Sequence, residues 1–277
     1  MRKIIVLAII AMLSGAICNS QAINITGSGN VIKETRNLDA FTAITDNGIF
    51  NVVVKQGDNH TAIIETDDNV IQYVETVVEK GRLIIRVKKD VQIKRVSKAN
   101  IFVTVKNLTD VKTNGTGNMS VSDIKDLRDF NFEANGTGNA DLNFTCEKLT
   151  IKNSGTGSLS FDGACTNLTL NNSSTGDVKV KGISAQNLSV NNNGTGRVHL
   201  AGKAAIFDLR NSGTGNVDAL DMIADNIDLF NNGTGNVAVY AEKELSIISF
   251  GTGDVKYKGN AVVKKMTNKG VGSVHKI

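Results

Sequence analysis

The tripeptide Gly-Thr-Gly returns at a nearly fixed interval along more than half of this chain, and that repetition limits what the chain can fold into. Its central threonines are Thr116, Thr137, Thr156, Thr175, Thr195, Thr214, Thr234 and Thr252, with steps of 18 to 21 residues. A ninth copy, Gly270-Val271-Gly272, follows, and Ser174 is the single departure from glycine before threonine. A short fixed period means that each unit is one supersecondary element that buries its apolar side only against its neighbours.

Aligning the units on threonine shows what each element is. Seven residues before it stand Phe130, Leu149, Leu168, Leu188, Phe207, Ile227 and Leu245, and five before it Phe132, Ile151, Leu170, Val190, Leu209, Leu229 and Ile247. This is the period-2 pattern of a strand with one buried face. A second short strand follows the glycines, as in Val178 and Val180 or Val198 and Leu200. Two strands in about 19 residues are half of what a propeller blade needs, and the leucine-rich consensus is absent. The expected fold is therefore all-β: a right-handed parallel β-solenoid of about 19–20-residue coils, preceded by an irregular N-terminal β section. Coils stacked at the ~4.8 Å strand spacing over eight steps give a rod about 38 Å long.

Stacking turns repeated residues into ladders. Glycine on both sides of threonine suits a corner that needs positive φ or allows no Cβ, and the threonine hydroxyl is expected to satisfy backbone groups there. Asparagine recurs three residues before the central position at Asn153, Asn172, Asn192, Asn211, Asn231 and Asn268. Stacked amides can hydrogen-bond along the axis, so these are read as a structural ladder. The functional alternative is a polar strip for glycan hydroxyls. Cys146 and Cys165 each lie nine residues after their threonine, which makes them neighbours on adjacent coils within disulfide reach.

Residues 1–22 read as a secretory signal peptide: Met1-Arg2-Lys3, an apolar run from Ile4 to Leu13, and Ser20-Gln21-Ala22 before cleavage. Cleavage there removes Cys18; lipidation of Cys18 is the competing reading, weakened by the large Ile17 before it. The destination is extracytoplasmic: periplasm, outer-membrane surface or extracellular space. No later run is long enough for a transmembrane helix. Residues 23–111 form the N-terminal β section and 112–277 the repeat solenoid. Within the former, Asp68 to Val74 is expected to open a short capped helix, Val77 to Val87 a hairpin about Glu79-Lys80-Gly81, and Ile25 to Asn30 a stray corner copy that starts the solenoid or packs beside it. Losing Arg2 and Lys3 takes the 31 basic residues to 29 against 27 acidic ones, which is no nucleic-acid signature.

Asn47-Gly48-Ile49-Phe50-Asn51-Val52-Val53-Val54-Lys55-Gln56-Gly57, then Ile64 to Val70, Gly81-Arg82-Leu83-Ile84-Ile85 and Leu108-Thr109-Asp110-Val111 before the first Gly-Thr-Gly resemble the head GIN domain family, auto-transporter-type adhesins of Bacteroidetes-type bacteria. The resemblance covers the chain from about Leu38 onward. It implies a β-solenoid with an adhesive surface role and supplies no catalytic residues.

The residues themselves point the same way. His60, His199 and His275 are scattered, Arg197 and Arg210 have no evident partners, and the Asp67-Asp68 and Asp123, Asp126, Asp129 groups match no calcium-loop pattern. No catalytic residue, cofactor site or metal site is expected. The expected function is a non-enzymatic, adhesin-like exported protein that binds a glycan or a surface protein through one solenoid face. A polysaccharide-cleaving β-helix enzyme and an envelope scaffold are the alternatives.

Overall fold

The computed structural model describes residues 22–277, apart from the side chain of Asp126. The expected signal peptide, with Cys18, thus lies outside the described residues except for Ala22. The protein is a parallel β-solenoid of about nine turns. The unit running from Val178 to Asn192 shows why. Val178, Val180, Ile183, Ala185, Leu188 and Val190 are buried, while Lys179, Lys181, Ser184 and Gln186 are exposed. Burying such side chains at about 1.5–3 kcal/mol for each large one, turn after turn, drives the stacking. Like residues meet like: Val178 pairs with Val198, then Val217, Val237, Val255 and Val274, all in parallel register.

The turns beginning at Val178, Val198 and Val217 have three straight segments rather than the two expected. In the first of these they are Val178–Val180, Ile183–Ala185 and Asn187–Asn192, with the register shifting between Val180 and Ile183 where Gly182 takes φ +70°. The middle segment buries only Ile183 and Ala185, too faint an apolar signal to read as a strand.

Coil stacking also begins earlier than residue 112. Ala43–Asp46 pairs in parallel with Asp110–Thr113, and Asn51–Gln56 with Met119–Val121. Gly48-Ile49-Phe50 between them is the corner of a first coil that lacks the tripeptide. Arg82–Val87 and Ala99–Val105 add one more parallel layer. The pairing then turns antiparallel: Val74–Glu79 lies on Arg82–Val87, Thr61–Asp67 on Ala99–Val105, and Val31–Asn37 on Thr61–Asp67. The residue-112 boundary is one of sequence regularity, since coil geometry crosses it.

The smaller expectations divide. The hairpin turns at Lys80 (φ 50°) and Gly81 (φ 74°), the double positive φ of a two-residue turn that matches strand twist. The short helix is only a 3-10 turn, Ile71–Tyr73, without a side-chain cap. Its expected caps are used elsewhere: Asp68 accepts from Ser28 Oγ and Asn30 Nδ2, and Asn69 Nδ2 donates to the Thr26 carbonyl at 2.8 Å. Those bonds hold the Ile25–Asn30 segment beside the body, where Ile23–Thr26 pairs with Val91–Arg95 in a separate two-stranded sheet.

The repeated glycines are explained by proximity. A Cβ built on Gly215 would sit 1.9 Å from the Gly196 carbonyl oxygen of the coil below, closer than any real contact. None of the glycines flanking the eight threonines has a positive φ, so the corner needs the missing Cβ and not the left-handed conformation. Ser174, the exception, turns its hydroxyl inward, donating to the Gly157 carbonyl and accepting from the Gly176 N–H.

Candidate binding surface

The corner has an inner and an outer side, and burial alternates through it without a break. Leu188, Val190, Asn192, Gly194, Gly196, Val198 and Leu200 are all buried, whereas Asn193, Thr195 and Arg197 are exposed. Inside, Asn153 donates to Asn172 at 3.0 Å, and Asn172, Asn192 and Asn211 each donate to the next asparagine at 2.9 Å. Each is at most 1% exposed. The Oδ1 atoms of Asn172, Asn192 and Asn231 also accept the N–H two residues on, at 3.3 Å. The ladder is thus a satisfied hydrogen-bond chain in the interior, and it offers nothing to a ligand.

The same register continues in other chemistry. Above Asn231 stand Ser249 and Asn268; below Asn153 stand Ala134, Thr113 and Asp46. Asp46 is fully buried, Gly48 N–H donates to its Oδ1 at 2.9 Å, and its Oδ2 has no partner. Burial pushes its carboxyl up to about 6, opposed by the Gly48 N–H and by the nearby Thr113 hydroxyl. Asp67, equally enclosed, goes the other way. Burial raises it, but the Ser97 and Gly29 N–H groups at 2.7 and 2.6 Å and the Ser97 hydroxyl at 3.0 Å together hold it below the usual carboxylate range.

All eight threonines, Thr116 to Thr252, point outward and are exposed, and among the described residues none of their hydroxyls makes a hydrogen bond. Only their backbones are used, as where Thr214 N–H donates to the Gly194 carbonyl at 3.1 Å. The expectation that threonine satisfies the corner is therefore corrected. Its even place in the alternation sends the side chain to solvent, and backbone from the neighbouring coil supplies the bond instead. Rows on either side match it. Two residues before stand exposed Asn114, Asn135, Ser154, Ser173, Asn193 and Ser212. Two residues after, Asn118, Asn139, Asn216 and Asn236 use Oδ1 to accept the N–H of the next coil at 2.8–2.9 Å, which leaves their NH2 groups for solvent. The result is a strip of mainly short hydroxyl and amide side chains repeating every ~4.8 Å along the rod, interrupted by Asp177, Arg197 and Asp254 two residues after threonine and by Phe250 two before.

Stacking also assembles groups that spacing left scattered. His199 lies opposite Asp218 in register, with Nδ1 3.6 Å from Asp218 Oδ2 and Nε2 3.8 Å from Asp221 Oδ2. Arg197, Lys179 and Asp177 line the same shallow pocket of about 300 Å³. Their shared places in successive units were the signal that could have found them. Arg210 Nε lies 3.6 Å from Asp208, near Phe230, whose ring packs 5.9 Å from that of Phe250. His60 packs edge-on against Phe41, and His275 meets Ser273 Oγ. Asp123 pairs with Lys55 at 2.8 Å. Among the described residues no three His, Cys, Asp or Glu side chains are placed to hold one metal ion.

A family model described as "Putative auto-transporter adhesin, head GIN domain" matches residues 40–200 and, overlapping them, 167–261. The chain belongs to the head GIN domain family. Among solved structures, this head GIN chain is similar to a putative adhesin from Parabacteroides merdae ATCC 43184, at 20% identity and a TM-score of 0.66, over 92% of this chain and 100% of that one. A putative adhesin from Parabacteroides distasonis ATCC 8503 matches at 18% and 0.71 over the same shares. A protein from the same organism described as a putative lipid binding protein matches at 22% and 0.64, over 92% and 99%. These likenesses are of fold. No curated protein matches the head GIN chain. No helix among its described residues is long and apolar enough to cross a membrane.

Proposed function

We propose that this head GIN protein is an exported, non-enzymatic adhesin that binds a neutral glycan along the outer side of the Gly-Thr-Gly corner. One observation carries the reading: the fold uses the repeated glycines and asparagines, but not the threonine hydroxyls. The glycines admit no Cβ and the asparagines form the inner chain, whereas eight threonine side chains face solvent unbonded. A row of free hydroxyls flanked mostly by short amide and hydroxyl side chains is suited to hydrogen bonds with saccharide hydroxyls, many weak contacts adding up along one polymer. Membership of an adhesin family supports a surface role, and the signal-peptide pattern of residues 1–22 supports export.

The test is a glycan array probed with the mature chain, beside a panel of surface proteins. Retention of neutral polysaccharides, rising with chain length, is the expected result. Binding only to proteins, or to nothing at saturating concentration, overturns the reading. The pocket at His199 favours a second reading, polysaccharide cleavage, because a histidine between two carboxylates with an arginine beside it can move protons. Turnover that disappears in His199→Ala would establish it; inactivity across a polysaccharide panel with calcium present would remove it.

A further inference from the structure

We infer that Cys146 and Cys165 form a covalent site, an intramolecular disulfide that ties two adjacent turns together at the edge of the narrow middle side of the solenoid. The pair are direct partners in the parallel ladder. Partners in such a ladder have Cα atoms about 4.8 Å apart and project the same way, inside the 4.4–6.8 Å span that a disulfide bridges. Both are thiols here; Cys165 is buried and Cys146 is half-buried.

The bland alternative is that cysteine fills a small apolar space. Other turns show what that filler looks like: Ala185, Ala204, Ala224 and Ala241 succeed one another at the inward place of the same segment. Alanine fills the place in those four turns and Leu127 in the turn before Cys146, and the two cysteines occupy consecutive turns and no others.

The two thiols have distinct roles. The Cys165 S–H points its hydrogen at Cys146 and keeps it, which lowers Cys146 and, with burial, raises Cys165. Cys146, the partly accessible one, is therefore the first nucleophile. Its thiolate attacks one sulfur of an external disulfide, forming a mixed disulfide and expelling a thiolate. Cys165 then loses its proton and attacks Cys146 Sγ, releasing the second thiolate. Two electrons pass from the cysteines to the external disulfide, and the two protons leave with the released thiols. The oxidant is any small or protein disulfide of an extracytoplasmic compartment.

The experiment takes the chain purified reduced, exposes it to oxidised glutathione, blocks remaining thiols with iodoacetamide and digests it with trypsin without reduction. The expected product is Asp129–Lys148 joined to Asn153–Lys179 and about 2 Da lighter than the two thiol peptides together. Thermal unfolding should move up by about 5–10 °C and return on adding dithiothreitol. The double variant Cys146→Ala, Cys165→Ala installs the residue of the four alanine turns, so it should fold and lose the redox-dependent shift. Alkylated Cys146 and Cys165 recovered from folded, oxidised protein would overturn the inference. So would glutathione left on Cys146, or a link between two chains. None of these outcomes bears on glycan binding.

Discussion

Asn192→Asp is expected to destabilise the protein by about 4 kcal/mol at pH 7.5, although it exchanges one NH2 for an oxygen and changes no shape. Asn192 is fully buried at the middle of the ladder. Its Nδ2 donates to Asn211 at 2.9 Å, and its Oδ1 accepts from Asn172 at 2.9 Å and from Gly194 N–H at 3.3 Å. A carboxylate keeps the two accepted bonds but turns an oxygen toward the Asn211 carbonyl, replacing a bond by repulsion in a place without water. Desolvation of the charge adds to this. Denaturant titrations should show the defect shrinking on acidification, because a protonated carboxyl can donate to Asn211 again. Equal stability to wild type at pH 7.5 would mean that the ladder amides are not hydrogen-bonded in series.

The reverse exchange lower in the same register has the opposite sign. Asp46→Asn should stabilise by about 2–3 kcal/mol above pH 7, since a native value near 6 against 3.8 is about two pH units at 1.4 kcal/mol each. A carboxyl whose native value is raised binds its proton more tightly when folded. Its contribution is therefore fully present below about pH 4 and is lost as pH rises through about 6. The gap between variant and wild type should open across that window and stay constant above it. Asparagine keeps the Gly48 bond, and its NH2 can donate to Thr113, whose hydroxyl accepts as well as donates. A gap that is flat between pH 4 and 8 would mean that Asp46 is not the group held protonated by burial.

These two positions also show how far the sequence could be read. The asparagine ladder was legible because Asn153 to Asn231 repeat one chemistry at one spacing, and identical side chains in parallel register bond to each other. Asp46, Thr113, Ala134 and Ser249 occupy the same column but share no chemistry, and the coil holding Asp46 has Gly48-Ile49-Phe50 at its corner, so register alone reveals them. The middle side was missed because Ile183 and Ala185 bury little and the bend before them shifts the count. Threonine was read the wrong way round for a different reason. A tight corner invites side-chain bonds to its backbone, but alternation runs unbroken from Leu188 through Gly194 and Gly196 to Leu200 and sends Thr195 outward. The His199 cluster needed the same step, since Arg197, His199 and Asp218 come together only once the turns are stacked.

The most direct test of the account replaces Thr156, Thr175, Thr195 and Thr214 together by valine and measures binding to an array-selected polysaccharide beside stability to denaturant. Valine keeps the β-branched shape and removes only the hydroxyl. The account predicts stability within about 1 kcal/mol of wild type and affinity reduced at least about ten-fold, as expected when several exposed hydrogen bonds are lost at once. A variant that unfolds would show that the hydroxyls serve the corner after all. One that binds as well as wild type would place the ligand on another face of the rod.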